Sequence, residues 1–124
     1  MMDLAAIKPQ TVSVEIIHPG TGRKTGLVME VTNLDTPEAR KVQRRQTDKV
    51  IKKGHKRLTS VEIEDNRIEL FSAAVVGWEW KDGAAWGGKK LELTPENVAN
   101  VLSTTWVRKQ VEEAIDDEAG FFTS

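Results

Sequence analysis

Apolar residues fall at every second position in two early runs. Val12, Val14 and Ile16 alternate with Ser13 and Glu15, and Leu27, Met29 and Val31 alternate with Val28 and Glu30, so each run predicts a strand with one apolar face. Between them His18-Pro19-Gly20-Thr21-Gly22-Arg23-Lys24 is dense in turn-forming residues, which makes a β-hairpin over residues 11–32 the simplest connection. A lone two-stranded hairpin is marginal in water. Its apolar face must therefore meet a helix, a third strand or another subunit. Residues 1–10 form a flexible lead-in to this single domain of residues 11–124, with Pro9 biasing Lys8 towards extended backbone.

From Thr36 the pattern becomes helical. Thr36-Pro37-Glu38 supplies a hydroxyl cap, a proline where no amide partner is needed and an acid at the positive end of the dipole. The apolar positions that follow, Ala39, Val42 and Val50, are sparse, which predicts a helix mostly solvated or covered by a partner, ending at Gly54. Thr59 and Glu62 read as a capping box. Ile68, Phe71, Val75 and Trp78 then recur at helical spacing, so this helix is expected to run to Gly77, followed by an aromatic loop through Gly88. Lys90-Leu91-Glu92-Leu93 alternates like a short third strand. Thr94-Pro95-Glu96 opens another helix, with Val98, Val101 and Leu102 on one side, and a last helix from Ser103 or Thr104 carries Val107, Val111, Ala114 and Ile115. The fold class is thus α+β and mainly helical: an N-terminal hairpin, with a possible third strand, packed with three to four helices over residues 36–118. The expected core is Ile68, Phe71, Val75, Trp78, Val98, Leu102, Trp106, Val111 and Ile115.

Composition narrows the function. The chain has 124 residues, 39% hydrophobic and 30% charged, which fits one folded domain and neither a disordered chain nor a membrane protein. No apolar run reaches the roughly 18 residues of a membrane span, and the first nine residues have neither a basic start nor a long apolar core, so no secretory signal is expected. The expected location is the cytoplasm. Without cysteine there is no disulfide framework, thiolate metal site or cysteine nucleophile.

Motifs for catalysis fail on their own requirements. Gly20-Thr21-Gly22-Arg23-Lys24-Thr25-Gly26 resembles a phosphate loop, but the loop needs its upstream glycine, Gly-Lys in sequence and a helix directly after it; here a strand pattern follows. His18 and His55 lack metal-ligand spacing, no G-x-S-x-G elbow is present, and acid pairs such as Glu62 and Glu64 or Asp116 and Asp117 are ordinary for helix surfaces. No enzyme, cofactor or metal site is predicted.

The net charge is −1, yet the charges are sorted. Residues 40–57 hold nine Lys and Arg (Arg40, Lys41, Arg44, Arg45, Lys49, Lys52, Lys53, Lys56, Arg57) against Asp48, whereas residues 112–118 hold five acids (Glu112, Glu113, Asp116, Asp117, Glu118) and no base. Two such ends suit contact within the chain, head-to-tail contact between copies, or steering of a charged partner. Arg40, Arg44, Arg45, Lys52 and Lys53 are therefore candidates for a partner-binding face. The alternative is a small nucleic-acid-binding regulator using the same helix, but no helix-turn-helix or zinc-finger spacing surrounds it. Of the four tryptophans, Trp78 and Trp106 sit at stripe positions. Trp80 and Trp86 bracket Asp82-Gly83 in a glycine-rich stretch and are both candidates for the partner surface, with the core favoured for Trp80 and an interface for Trp86.

Leu70-Phe71-Ser72-Ala73-Ala74-Val75-Val76-Gly77-Trp78, then Asp82-Gly83, then Leu91-Glu92-Leu93-Thr94-Pro95-Glu96-Asn97-Val98, resembles the C-terminal half of tailed-phage tail assembly chaperones. In order of elements the resemblance covers residues 11–118, with its recognisable motifs between 68 and 106. It implies a non-enzymatic protein of the infected cell's cytoplasm that holds the tape measure protein, helps recruit tail tube subunits, and in some members forms oligomers. The N-terminal hairpin and the strength of the basic stretch depart from the helix-rich pattern of the group, which bears on where a partner would sit.

Overall fold

The computed structural model of the chain describes residues 2–54 and 57–122; His55 and Lys56, read above as part of the basic stretch, lie outside the described residues. Strand β1 (Val12–Ile17) and strand β2 (Lys24–Val31) form the predicted antiparallel hairpin, and β3 (Val75–Trp80) pairs antiparallel with the other side of β2, giving the order β1-β2-β3. Four helices accompany the sheet: α1 (Pro37–Lys53), α2 (Ser60–Ala74), α3 (Pro95–Leu102) and α4 (Thr105–Asp116), with short 3-10 turns at Leu4–Ala6 and Glu118–Phe122. The fold is α+β and mainly helical, as the pattern implies.

The helix starts form for the expected reasons. Thr36, Thr59 and Thr94 each accept a bond from the backbone amide three residues on, Pro37 and Pro95 open their helices, and Thr59 with Glu62 completes the capping box. In the hairpin turn, His18 Nδ1 accepts bonds from the amides of Gly20 and Thr21, so this histidine caps a turn, and the glycines around it lead into β2 and not into a helix.

The third strand is not where the alternation placed it. Helix α2 stops at Ala74, and Val75–Trp80, read above as helix and loop, is the strand; residues 90–93 are not. Phe71, Val75 and Trp78 satisfy helical spacing, but Val-Val-Gly-Trp-Glu-Trp is also a run of β-branched and aromatic residues, and pairing with β2 decides the outcome. Leu27 faces Trp80, Met29 faces Trp78 and Val31 faces Val75. In residues 90–93 side chains satisfy two of the carbonyls instead: the Trp78 indole donates to Leu91 O at 3.0 Å and Asn97 Nδ2 donates to Glu92 O at 2.9 Å.

One sheet face carries the core, with Ile16, Met29 and Val31 against Val101, Leu102, Val107 and Val111 of α3 and α4. Phe71, Val75, Val98, Leu102, Val111 and Ile115 are buried as predicted, while Ile68 and Trp78 are half-buried against the same cluster. Trp106 is the exception. It is 36% exposed, because α4 turns the neighbouring Val107, Val111 and Ile115 inward and leaves the indole at the rim. Two buried residues are not evident from the pattern. Phe121, in the last 3-10 turn, is fully buried, and Arg108 is buried with its guanidinium donating to Leu102 O at 3.0 Å, which satisfies a carbonyl that the end of α3 leaves open.

Candidate functional site

Helix α2 touches α1, α3, α4 and β3, whereas α1 packs chiefly on α2. A groove of about 810 Å³ opens where α1, α2, the start of β3 and the start of α3 come together. Its apolar lining comes from Val42 of α1, Ile68 and Ala73 of α2, Val75 and Val76 of β3, and Leu93, Pro95, Val98 and Ala99 at the start of α3.

A strand irregularity supplies one of the most exposed of these. Glu30 pairs with Gly77 and Val31 with Val75, so Val76 has no partner on β2 and forms a bulge. The bulge turns Val76 out of the pleat into the groove, where it is 49% exposed; Leu93 beside it is 44% exposed. Beneath them Ser72 Oγ is buried without a hydrogen-bond partner. The rim is charged. Glu38, Asp65, Glu69 and Glu96 border the groove, with Arg45 as the cation among them.

Each predicted site residue has a definite place. Arg45 alone of the candidate cations reaches the groove, and its guanidinium pairs with Glu69 at 2.8 Å. Arg40 pairs with Asp35, and Lys53 pairs with Glu62. Arg44 and Lys52, together with Lys41, have no ion-pair partner among the described residues. Trp80 lies in the core, only 9% exposed and in edge-to-face contact with Trp78, whereas Trp86, read above as an interface residue, is half-buried against the core. Their rings complete the sheet side of the core, so the groove offers more open apolar surface than the tryptophan loop does.

The sorted charges do not meet as sorted in sequence. Acids of α2 neutralise part of α1, and Glu112 of α4 is taken by Arg67 at 3.2 Å and by the buried Arg108 at 3.5 Å. The contacts with α1 shift the carboxylates of Glu69 and Glu62. Burial pushes Glu69 up, but hydrogen bonds from Gln46 and Arg45 outweigh it and hold the group below the ordinary glutamate range. The Lys53 ammonium, aided by Thr59, holds Glu62 down as well.

Compared with protein-family models, with curated proteins and with solved structures, the chain matches none. The site must be judged on its chemistry. Among the described residues no group of three or more His, Asp or Glu is placed to hold a metal ion, and no helix is long and apolar enough to cross a membrane. What the groove offers is an apolar bed between charged walls, which suits the burial of an apolar face from another polypeptide. The signal for it in the sequence is indirect: the thin apolar stripe of α1 leaves part of α2 uncovered, and Thr94-Pro95 brings the next helix start up to that gap.

Proposed function

We propose that this chain is a non-enzymatic, polypeptide-binding factor that acts as a tail assembly chaperone of a tailed phage. It holds the tape measure protein in the host cell cytoplasm and helps recruit tail tube subunits around it. The observation that carries the binding role is the open groove, with Val76 and Leu93 half out of the fold at its mouth. The resemblance of residues 68–106 to the chaperone group supplies the identity of the partner. Co-expression with a tape measure protein tests both: a soluble complex is expected, and the double substitution Val76→Asp with Leu93→Asp is expected to abolish it. Because both side chains are already about half exposed, the variant should fold. No complex, or one indifferent to these two positions, would refute the assignment.

A second reading, a nucleic-acid-binding regulator, draws on Lys41, Arg44 and Lys52 of α1, which have no ion-pair partner among the described residues. It requires DNA or RNA binding that weakens steeply with salt and is lost on reversing Arg44 and Lys52.

A further inference from the structure

The groove also carries information about its occupant. Glu38, Asp65 and Glu96 on its rim have no ion-pair partner among the described residues, and the one rim cation, Arg45, is engaged by Glu69. Three free carboxylates around one apolar surface are a local excess in a chain whose net charge is only −1. Glu38 and Glu96 also serve the first turns of α1 and α3, where an acid favours the helix dipole. Asp65, in the middle of α2, has no such role, though it also borders a second hollow lined by Lys49, Lys52 and Lys53 of α1 without pairing with any of them.

The shape restricts the occupant further. Added strands need a regular ladder, and the bulge at Val76 breaks the ladder of β3 where it borders the groove. A small molecule is fixed by a few polar groups inside its pocket, but here the charges stand on the rim and the interior is apolar. Small side chains in the lining, Ala73 and Ala99, leave room for a cylinder to approach closely. Building on the polypeptide-holding role, we propose that the groove takes an amphipathic helix of a partner protein whose apolar stripe is flanked by Lys and Arg. Apolar burial supplies the affinity, and the free carboxylates select the sign of the flanks.

Two synthetic peptides of about 18 residues, roughly five helical turns, test this by fluorescence anisotropy. They share one Leu/Ala face and differ only in flanks of Lys or of Glu. The Lys-flanked peptide is expected to bind about tenfold more tightly at low salt, with the gap narrowing as salt rises. Asp65→Lys with Glu96→Lys should reverse the order, and Asp65→Lys alone, which leaves the helix starts intact, should narrow it. Val76→Asp should remove binding of both. Equal affinity for the two peptides, or a preference unmoved by the charge swap, overturns the inference while leaving the holding role intact. Absence of peptide binding by a protein that still holds its tape measure partner through Val76 overturns the helical occupant alone. Capture of a DNA duplex in place of either peptide overturns both readings.

Discussion

Gln110 of α4 pairs with the backbone of Ile17 as a neighbouring strand would: the Ile17 amide donates to Gln110 Oε1 at 2.8 Å, and Gln110 Nε2 donates to the Ile17 carbonyl at 2.9 Å. Ile17 is the last residue of an edge strand, just past the point where the register with β2 shifts. One side chain thereby satisfies both backbone groups and ties α4 to the sheet. Gln110→Glu keeps the acceptor, removes the donor and faces a carboxylate towards a carbonyl. It is expected to cost about 1–3 kcal/mol, the penalty for leaving such groups unpaired. Gln110→Leu, which removes both bonds, should cost a similar amount. Urea midpoints unchanged in both variants would show that the pairing contributes nothing.

Gly26 marks the matching irregularity on β2. Between the Glu15–Val28 and Ile17–Lys24 pairs, β1 has one residue, Ile16, where β2 has three, Thr25, Gly26 and Leu27. Gly26 absorbs the excess at φ +96°, and a Cβ there would lie 2.2 Å from the Lys81 carbonyl oxygen. Its own carbonyl accepts from the Lys81 amide at 2.7 Å, so the chain cannot move away freely. Gly26→Ala combines strained backbone with a collision against main chain, and should cost about 3 kcal/mol or more. Circular dichroism during thermal unfolding measures it, and a melting temperature within a degree or two of the parent would contradict the geometry.

Local chemistry sufficed for the hairpin and for all three Thr caps, because turn residues, prolines and capping hydroxyls act within a few positions. It failed at Val75, where a helical stripe and a strand share the same residues and only the long-range partners Leu27, Met29 and Val31 decide between them. It failed again at Trp86, which pairs with Lys89 across the Gly87-Gly88 turn and packs on the core, and at Trp106, which one step around the helix removes from the stripe. Arg45 was legible as a cation but not as a groove residue. The groove itself depends on four separate elements meeting, so no single stretch of sequence announces it.

Acid should loosen α1 from α2 before it unfolds the sheet core. Glu62 and Glu69 receive Lys53 and Arg45 across the interface between these helices, and both carboxyls sit below the ordinary glutamate value of 4.5. A group whose folded value is depressed contributes stability above its unfolded value and loses it as the pH falls through the folded value. Glu30 adds to the same trend, held down by hydrogen bonds from Thr11 and then Ser13. Stability is therefore expected to be level above about pH 5 and to decline below about 4.5. Hydrogen exchange should show α1 amides losing protection first. Glu62→Gln with Glu69→Gln should lower stability at pH 7 and flatten the acid decline. A decline of the same steepness in this variant would assign the effect elsewhere.

Ser72 offers a change in the opposite direction. Its hydroxyl is buried on the groove side of α2 with no hydrogen-bond partner, so folding strips it of water without replacement. Alanine removes that penalty, favours the helix by about 0.5 kcal/mol and leaves a void no larger than one oxygen. Ser72→Ala should thus stabilise the protein by about 0.5–2 kcal/mol, read from the urea midpoint at constant slope. Since the hydroxyl lies under the apolar lining, the same variant should hold the Lys-flanked peptide at least as well as the parent. A loss of stability would mean that Ser72 Oγ has a partner in solution, and a loss of peptide binding with stability intact would place that partner in the occupant of the groove.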